Sequence, residues 1–249
     1  MQLMTTKFLK MRATLRNLRR DTQAVSTLEF ALILPLFIGL GLTGIELAYM
    51  STVNMQVSQT AISLADNASR LGQTDNSSVT PTVTEADVDS IMSGAMRQGE
   101  TYDLMENGRI ILSSLEYDDT TGLQYIHWQR CQGDLDRDSM YGDEGINNGL
   151  GSKTIEGVGL DDSLITAAPG SAVMVAEIYY EHNGILKGTF GETAHFREEA
   201  IFAIRDDRNL GPGITGSGGE SSCDTKTGGG GGGGGDGDDD GKGKGKGKG

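Results

Sequence analysis

The most apolar stretch of the chain runs from Phe30 to Ile45 and contains no charged residue. With the mainly apolar residues on either side, from Leu28 to Met50, it supplies about 20 residues. A helix of that length, rising ~1.5 Å per residue, crosses roughly 30 Å of hydrocarbon. We therefore predict a single membrane-spanning helix near the N-terminus, so that any folded domain must lie in the residues that follow it.

The charges on either side of this stretch predict its orientation. No Lys or Arg follows it before Arg70, whereas six basic residues precede it. Positively charged flanks stay in the cytoplasm. We therefore expect a single-pass membrane protein with a cytoplasmic N-terminus and a C-terminal domain outside the cytoplasm. The six preceding basic residues are Lys7, Lys10, Arg12, Arg16, Arg19 and Arg20.

Glu29 stands at the start of the apolar run, where an ionised carboxylate is costly and usually functional. A cationic partner would offset that cost. Cleavage after the small residue Ala24 would create one, because the new α-amino group on Val25 would lie one helical turn from the carboxylate. Two alternatives remain open at this point: an uncleaved membrane anchor, and a secretory signal peptide, although no small-x-small site follows the run.

The segment resembles a type IV prepilin of the tight-adherence (Flp) form, and more specifically the TadE-like minor pilins. The resemblance rests on a basic leader, the pair Glu29-Phe30, the pair Leu34-Pro35 and the later Gly44-Ile45-Glu46-Leu47. It is strongest over residues 24–71. The family usually has Gly before the cut, where this chain has Ala24.

The resemblance implies a structural protein and not an enzyme. It implies cleavage between Ala24 and Val25 by a prepilin peptidase, and a role for Glu29 and Phe30 in assembly. The expected partners are other pilin subunits, an inner-membrane assembly platform and the membrane itself, and the expected role is pilus assembly and surface attachment. Glu46, near the outer interface, is expected to be solvated by water and to matter less.

Beyond Met50 the apolar residues recur every three or four positions, which predicts that the same helix continues with one buried stripe. The whole chain is predicted to be α+β, with the long helix packed on a small antiparallel sheet, as in pilins. We divide it into a leader at 1–24, the helix at 25–73, an extracytoplasmic domain at 74–210, and a disordered tail rich in Gly, Asp and Lys at 211–249.

Within the domain, a second helix is predicted from Thr84, as N-cap, to about Arg97. Four later segments are rich in Ile, Val, Tyr or Phe with partial alternation, which is typical of strands. Asp118 to Gly122 reads as the turn between the first two. The predicted strands are Arg109–Tyr117, Leu123–Arg130, Ala172–Glu181 and His195–Arg205.

The two cysteines, Cys131 and Cys223, are both expected outside the cytoplasm, where a disulfide is permitted. We predict that they are bonded to each other. The alternative is a pair of free thiols.

An acidic loop is the one candidate for metal binding. Asp134, Asp136 and Asp138 are spaced by two, as at the start of an EF-hand loop. Ser139 then stands where the turn glycine belongs, and Gly145 where the bidentate glutamate belongs. The simpler interpretation is a solvated loop in a chain without cofactors. The alternative is that the loop binds Ca²⁺.

Other functions find little support in the sequence. The three histidines lack metal-ligand spacing, and neither a nucleophile elbow nor a phosphate loop is present. The formal net charge of −14 argues against nucleic acid as a partner. The alternative function is a membrane-anchored extracytoplasmic binding module, with or without a dependence on calcium, that never enters a filament.

Overall fold

The computed structural model describes residues 22–72, 80–145, 154–159, 163–185, 193–205, 208–217, 221 and 223. Most of the predicted leader and the tail after residue 223 lie outside these residues. Helix α1 spans Thr22–Ser69 without interruption. Of the helices described, it is the one that is long and apolar enough to cross a membrane, with a mean hydropathy of 2.0 in its most apolar window. The predicted long helix and single candidate span are thus confirmed.

The second half of α1 buries one stripe of small and medium apolar side chains. Val57, Ala61, Leu64 and Ala68 are each buried to 1% exposure or less. They fall three or four positions apart, so they share one face of the helix. The helix then ends in a short turn in which Gly72 adopts a left-handed φ of +81°.

The last carbonyl groups of α1 are satisfied by an arginine that is distant in sequence. The buried guanidinium of Arg208 donates from Nη2 to the carbonyl oxygens of Ala68, at 3.2 Å, and Ser69, at 3.0 Å. Its Nη1 lies 3.5 Å from the sulfur of Met174. Helix C-termini leave carbonyl groups without intrahelical donors. Arg208 supplies those donors from a cation, which the helix dipole also favours.

Helix α2 spans Glu85–Gln98, within a residue of its predicted bounds. Thr84 is the N-cap, as predicted, and it forms a reciprocal capping box with Asp87. A 3₁₀ turn, Gly99–Tyr102, and the short helix α3, Leu104–Asn107, follow. The Tyr102 hydroxyl is hydrogen-bonded to Thr60 of α1 at 2.9 Å, which ties this turn to the second half of the long helix.

The sheet has five strands in the order β3-β2-β1-β4-β5 and is antiparallel and curled. Strand β1 lies at its centre, pairs with β2 on one side and β4 on the other, and is buried over nearly its whole length. The α+β class is confirmed. The strands are β1 Gly108–Tyr117, β2 Gln124–Gln132, β3 Thr154–Ile155, β4 Ala172–His182 and β5 Ala194–Ala203.

A disulfide joins Cys131 of β2 to Cys223, as predicted. Two further contacts hold the same segment: the Cys131 N–H donates to the Ser221 carbonyl at 2.8 Å, and Arg109 Nη2 donates to the Cys223 carbonyl at 2.7 Å. Thr215 also exchanges backbone hydrogen bonds with Val83 and Glu85. These residues, which the sequence assigns to the tail, therefore contact the domain.

The chain divides into two compact units. The first is Met1–Gln56 with Glu181–His195 and contains the apolar half of α1. The second is Val57–Tyr180 with Phe196–Gly249 and contains most of the sheet and a core built from β1, β2, β4 and the loops beside them. That core includes Leu115, Ile126, Val158, Ala167, Val173 and Val175.

Candidate functional site

The first half of α1 exposes large apolar side chains on more than one face. Leu32, Ile33 and Leu34 are consecutive and all exposed, so at this level the exposed apolar surface is not a single stripe. Exposed apolar surface of this extent marks a membrane or protein contact in a stable protein. The same group also includes Leu28, Phe30, Leu36, Phe37, Ile38, Leu40, Ile45 and Leu47.

The residues predicted for processing and assembly all lie on this exposed half. Because α1 begins at Thr22, the Ala24–Val25 bond lies in its first turn. Val25, Glu29 and Phe30 are exposed. Val25 and Glu29 are four residues apart and therefore share a helix face. Among the described residues, Glu29 has neither a hydrogen bond nor an ion pair with a side chain.

Glu46, the second glutamate of this half, is bound within the chain. Its two carboxylate oxygens accept the N–H of Ile185 at 3.1 and 3.0 Å, and one of them lies 3.6 Å from His182 Nε2. The side chain is 21% exposed. Water is therefore not the only partner of this group, because a turn from a distant part of the chain also reaches it.

Glycine at position 184 allows that turn to come so close. Gly184 has a left-handed φ of +45°, and a Cβ atom there would lie 2.2 Å from Glu46 Oε1. A larger residue would be both strained and in collision. The Tyr49 ring lies 5.2 Å from that of His182, centroid to centroid, and packs beside the same turn. We call His182–Ile185 the interfacial turn.

The acidic loop places its carboxylates on the surface. Asp134, Asp136 and Asp138 are exposed, and the charges of the last two act on the buried Arg109. Burial lowers the pKa of that guanidinium, and the two aspartates oppose the change. Among the residues that the structure describes, no group of three or more Asp, Glu, His or Cys side chains could hold a metal ion.

Sequence reasoning missed a fully buried carboxylate in β4. Glu177 accepts hydrogen bonds from the Ser139 hydroxyl, the Met140 N–H at 3.1 Å and the Tyr179 hydroxyl at 3.1 Å. Arg197 of β5 completes the set, with Nη2 at 3.2 Å. Every one of these contacts donates a hydrogen bond to the Glu177 carboxylate. The carboxylate therefore holds residues 139–140 against the sheet, and its hydrogen-bonding capacity is used within the protein.

A second missed group surrounds Glu116. It accepts a hydrogen bond from Ser114 at 3.1 Å and is bonded to His127 Nδ1 at 2.8 Å. That bond raises the pKa of His127, while burial and the neighbouring carboxylate raise the pKa of Tyr125 to about 12. Ser114 points to the carboxylate and not to the imidazole, so the set lacks the nucleophile–base contact of a hydrolase.

Comparison with known proteins finds one similarity, which lies in α1. Residues 24–66 match the family model of TadE-like proteins, which covers the proposed cut, both glutamates and most of the buried stripe. No curated protein and no solved structure matches the chain. The TadE-like pilin family is structural and non-enzymatic. The N-terminal helix of the chain is therefore similar to that of TadE-like proteins, over residues 24–66.

Proposed function

We propose that the protein is a minor pilin or pseudopilin that takes part in assembly of a tight-adherence pilus and in surface attachment. One observation carries the proposal: the family match at residues 24–66 includes the half of α1 whose large apolar side chains are exposed. Such a helix can lie in a bilayer and then pack against other helices in a filament or its base.

The proposed location is the inner membrane, with the N-terminus in the cytoplasm and the folded domain outside. Six basic residues before the span and none directly after it support this orientation. The Cys131–Cys223 disulfide supports it independently, because disulfides persist in oxidising compartments such as the periplasm.

Processing by a prepilin peptidase gives the first test. We expect the mature chain to begin at Val25, which intact mass of the membrane-extracted protein would show. Ala24→Leu should block the cut, whereas Ala24→Gly, which restores the residue usual in the family, should preserve it. A chain that keeps Met1 in cells with an active peptidase would contradict the proposal and favour a membrane-anchored binding module.

Assembly gives the second test, which concerns Glu29. The free amine of Val25, on the same or a neighbouring subunit, is the proposed partner of this exposed carboxylate. On insertion scales an unpaired charge costs about 3 kcal/mol at the bilayer centre and less toward its boundary. Pairing would offset the part of this cost that Glu29 bears and would fix the register between helices. We expect Glu29→Gln to insert and be cut normally but to lose co-purification with other pilus components.

The matched control is Glu29→Asp, which keeps the charge and should retain most of the co-purification. If Glu29→Gln assembles as well as the parent, the carboxylate has no pairing role.

A further inference from the structure

We propose that the interfacial turn, His182–Ile185, is a second membrane contact, held by Glu46 at the boundary between hydrocarbon and water, with the Ile185 side chain among the lipid headgroups and upper acyl chains. This inference rests on the membrane anchoring in the proposed function and adds a lipid-binding surface outside the spanning helix. Four observations support it: the level of Glu46 along the helix, the hydrogen-bonded N–H of Ile185, the apolar surroundings of the turn, and the close fit at Gly184.

The level of Glu46 follows from helix geometry. Glu29 and Glu46 are 17 residues apart, a rise of about 26 Å along α1. Bilayer hydrocarbon is roughly 30 Å thick, so a helix with one glutamate at each boundary spans it. Helical side chains also lean toward the N-terminus, which here is the membrane side. The Glu46 carboxylate, and the Ile185 N–H that it binds, therefore lie slightly deeper than the Glu46 backbone.

A turn can approach hydrocarbon only if its backbone groups have partners. The Ile185 N–H meets this condition, because both carboxylate oxygens of Glu46 accept it. The carboxylate gains in return, since an N–H donor and the nearby His182 ring replace part of its water. The contact thus reduces the cost of placing each group at the edge of the membrane.

The surroundings of the turn are continuous with the apolar surface of the span. Ile185 is 54% exposed, and Ile45 and Leu47, on either side of Glu46, are exposed as well. Tyr49 completes the patch, and tyrosine is enriched where membranes meet water. The turn also belongs to the same compact unit as the span. Because the patch continues the surface that faces lipid, the partner that fits Ile185 is lipid.

Depth-dependent quenching can test this placement in the full-length chain. Ile185→Cys would carry an environment-sensitive fluorophore in vesicles of phosphatidylcholine and phosphatidylglycerol, with spin-labelled lipids as quenchers. The two native cysteines are joined to each other, so the new thiol is labelled selectively. Leu36→Cys, Leu47→Cys and Met55→Cys provide a scale along the same helix, since all three positions are exposed.

We expect the Ile185 probe to be quenched by lipid to the same extent as the Leu47 probe, and the Met55 probe to respond mainly to aqueous iodide. If the Leu36 probe is quenched by lipid but the Ile185 probe behaves like Met55, the inference is overturned while membrane anchoring stands. Protection of Ile185 from both quenchers would also overturn it, because a protein partner would then cover the turn. If Leu36 itself escapes lipid quenching, the proposed anchoring fails.

The role of Glu46 is tested by a matched pair of glycine variants. Gly184→Ala places a Cβ atom against the carboxylate, so the Ile185 probe should lose its lipid quenching. Gly170 also has a left-handed φ, of +73°, but open space around it, so Gly170→Ala should leave the Ile185 signal unchanged. Glu46→Ala should reproduce the loss without any steric change in the turn. Lipid quenching of Ile185 that survives both Gly184→Ala and Glu46→Ala would show that Glu46 does not hold the turn.

Discussion

The two halves of α1 belong to one continuous helix, yet they meet opposite environments. In the first half Leu36 is 62% exposed, and its neighbours are large and apolar on more than one face. In the second half Leu64 is 1% exposed, and apolar residues return only every third or fourth position. The same side chain is therefore part of an exposed apolar surface at one position and of a protein core at the other.

The difference shows that the spacing of apolar residues along a helix, and not their number alone, determines which environment the helix requires. An all-round apolar segment has no polar face to offer water, so it requires lipid or other helices. A single stripe of Val57, Ala61, Leu64 and Ala68 leaves polar faces in solvent and requires only one covered side. The stability of the folded domain therefore depends on contacts in which the apolar half of α1 takes no part.

Removal of the disulfide is expected to give the largest difference in stability between the folded domain and the apolar half of α1. It closes a loop of 92 residues, and in the chain-entropy model its loss costs about 4–5 kcal/mol. We expect Cys131→Ser with Cys223→Ser to lower the free energy of unfolding of the domain by that order, measured in detergent by urea and the fluorescence of the buried Trp128.

Extraction of α1 from membranes by carbonate should not change in the same variant. A loss of less than about 1 kcal/mol would contradict the prediction, since it would mean that the unfolded chain gains little freedom without the bond.

A matched pair of leucine variants tests the comparison directly. Leu64→Ala should lower the free energy of unfolding of the domain by on the order of 3 kcal/mol, because it leaves a cavity in a closed core. Leu36→Ala makes the same chemical change on the exposed half and should alter domain stability by less than about 0.5 kcal/mol. Urea unfolding of both variants in detergent gives the result, and equal losses would abolish the distinction between the halves.

The smallest expected effect is a pH dependence confined to the domain. The pKa of His127 is raised above 6.5, mainly by its bond to Glu116, and Glu144 adds to the rise. The stabilisation is therefore complete below the unfolded pKa of about 6.5 and is lost as the pH rises through the higher folded value. We expect a decrease of below about 1 kcal/mol, since the pair is partly solvated.

Urea unfolding at pH 6 and pH 8 would measure this decrease, and His127→Gln should remove it. The apolar half of α1 carries no charge from Phe30 to Ile45, so membrane extraction should be the same at both pH values. A parent protein that becomes more stable as the pH rises over this range would reverse the predicted sign.

The sequence allowed most of the secondary structure to be predicted, because local patterns determine it. Alternation with Ile, Val and Tyr predicts four of the five strands to within about two residues, and the turn at Asp118 to Gly122 is confirmed by the Gly122 N–H bond to the Asp118 carbonyl. Strand β3 escaped prediction. Its two residues, Thr154 and Ile155, form a strand only because they pair with Gln124 and Tyr125.

The contacts that define the site could not be read from local patterns. Glu46 meets Ile185, and Arg208 meets the end of α1, across more than a hundred residues of sequence in each case. A single carboxylate or guanidinium has no periodicity that would point to its partner. The role of Glu177 was also not predictable. The composition of its segment indicates a strand, but it does not show which donors would meet the Glu177 carboxylate. The predicted processing and assembly residues stay predictions.

The central position of β1 has a consequence for the order in which the chain can fold. The β1–β2 hairpin closes through a short local turn, but β4, which pairs with the other edge of β1, begins only at Ala172. As the chain is synthesised from its N-terminus, the N–H and C=O groups of β1 on that edge therefore lack their partner strand until β4 emerges. An open edge of this length is a template for misplaced pairing between nascent chains. In the proposed topology, a periplasmic chaperone would have its greatest effect on this protein in that interval.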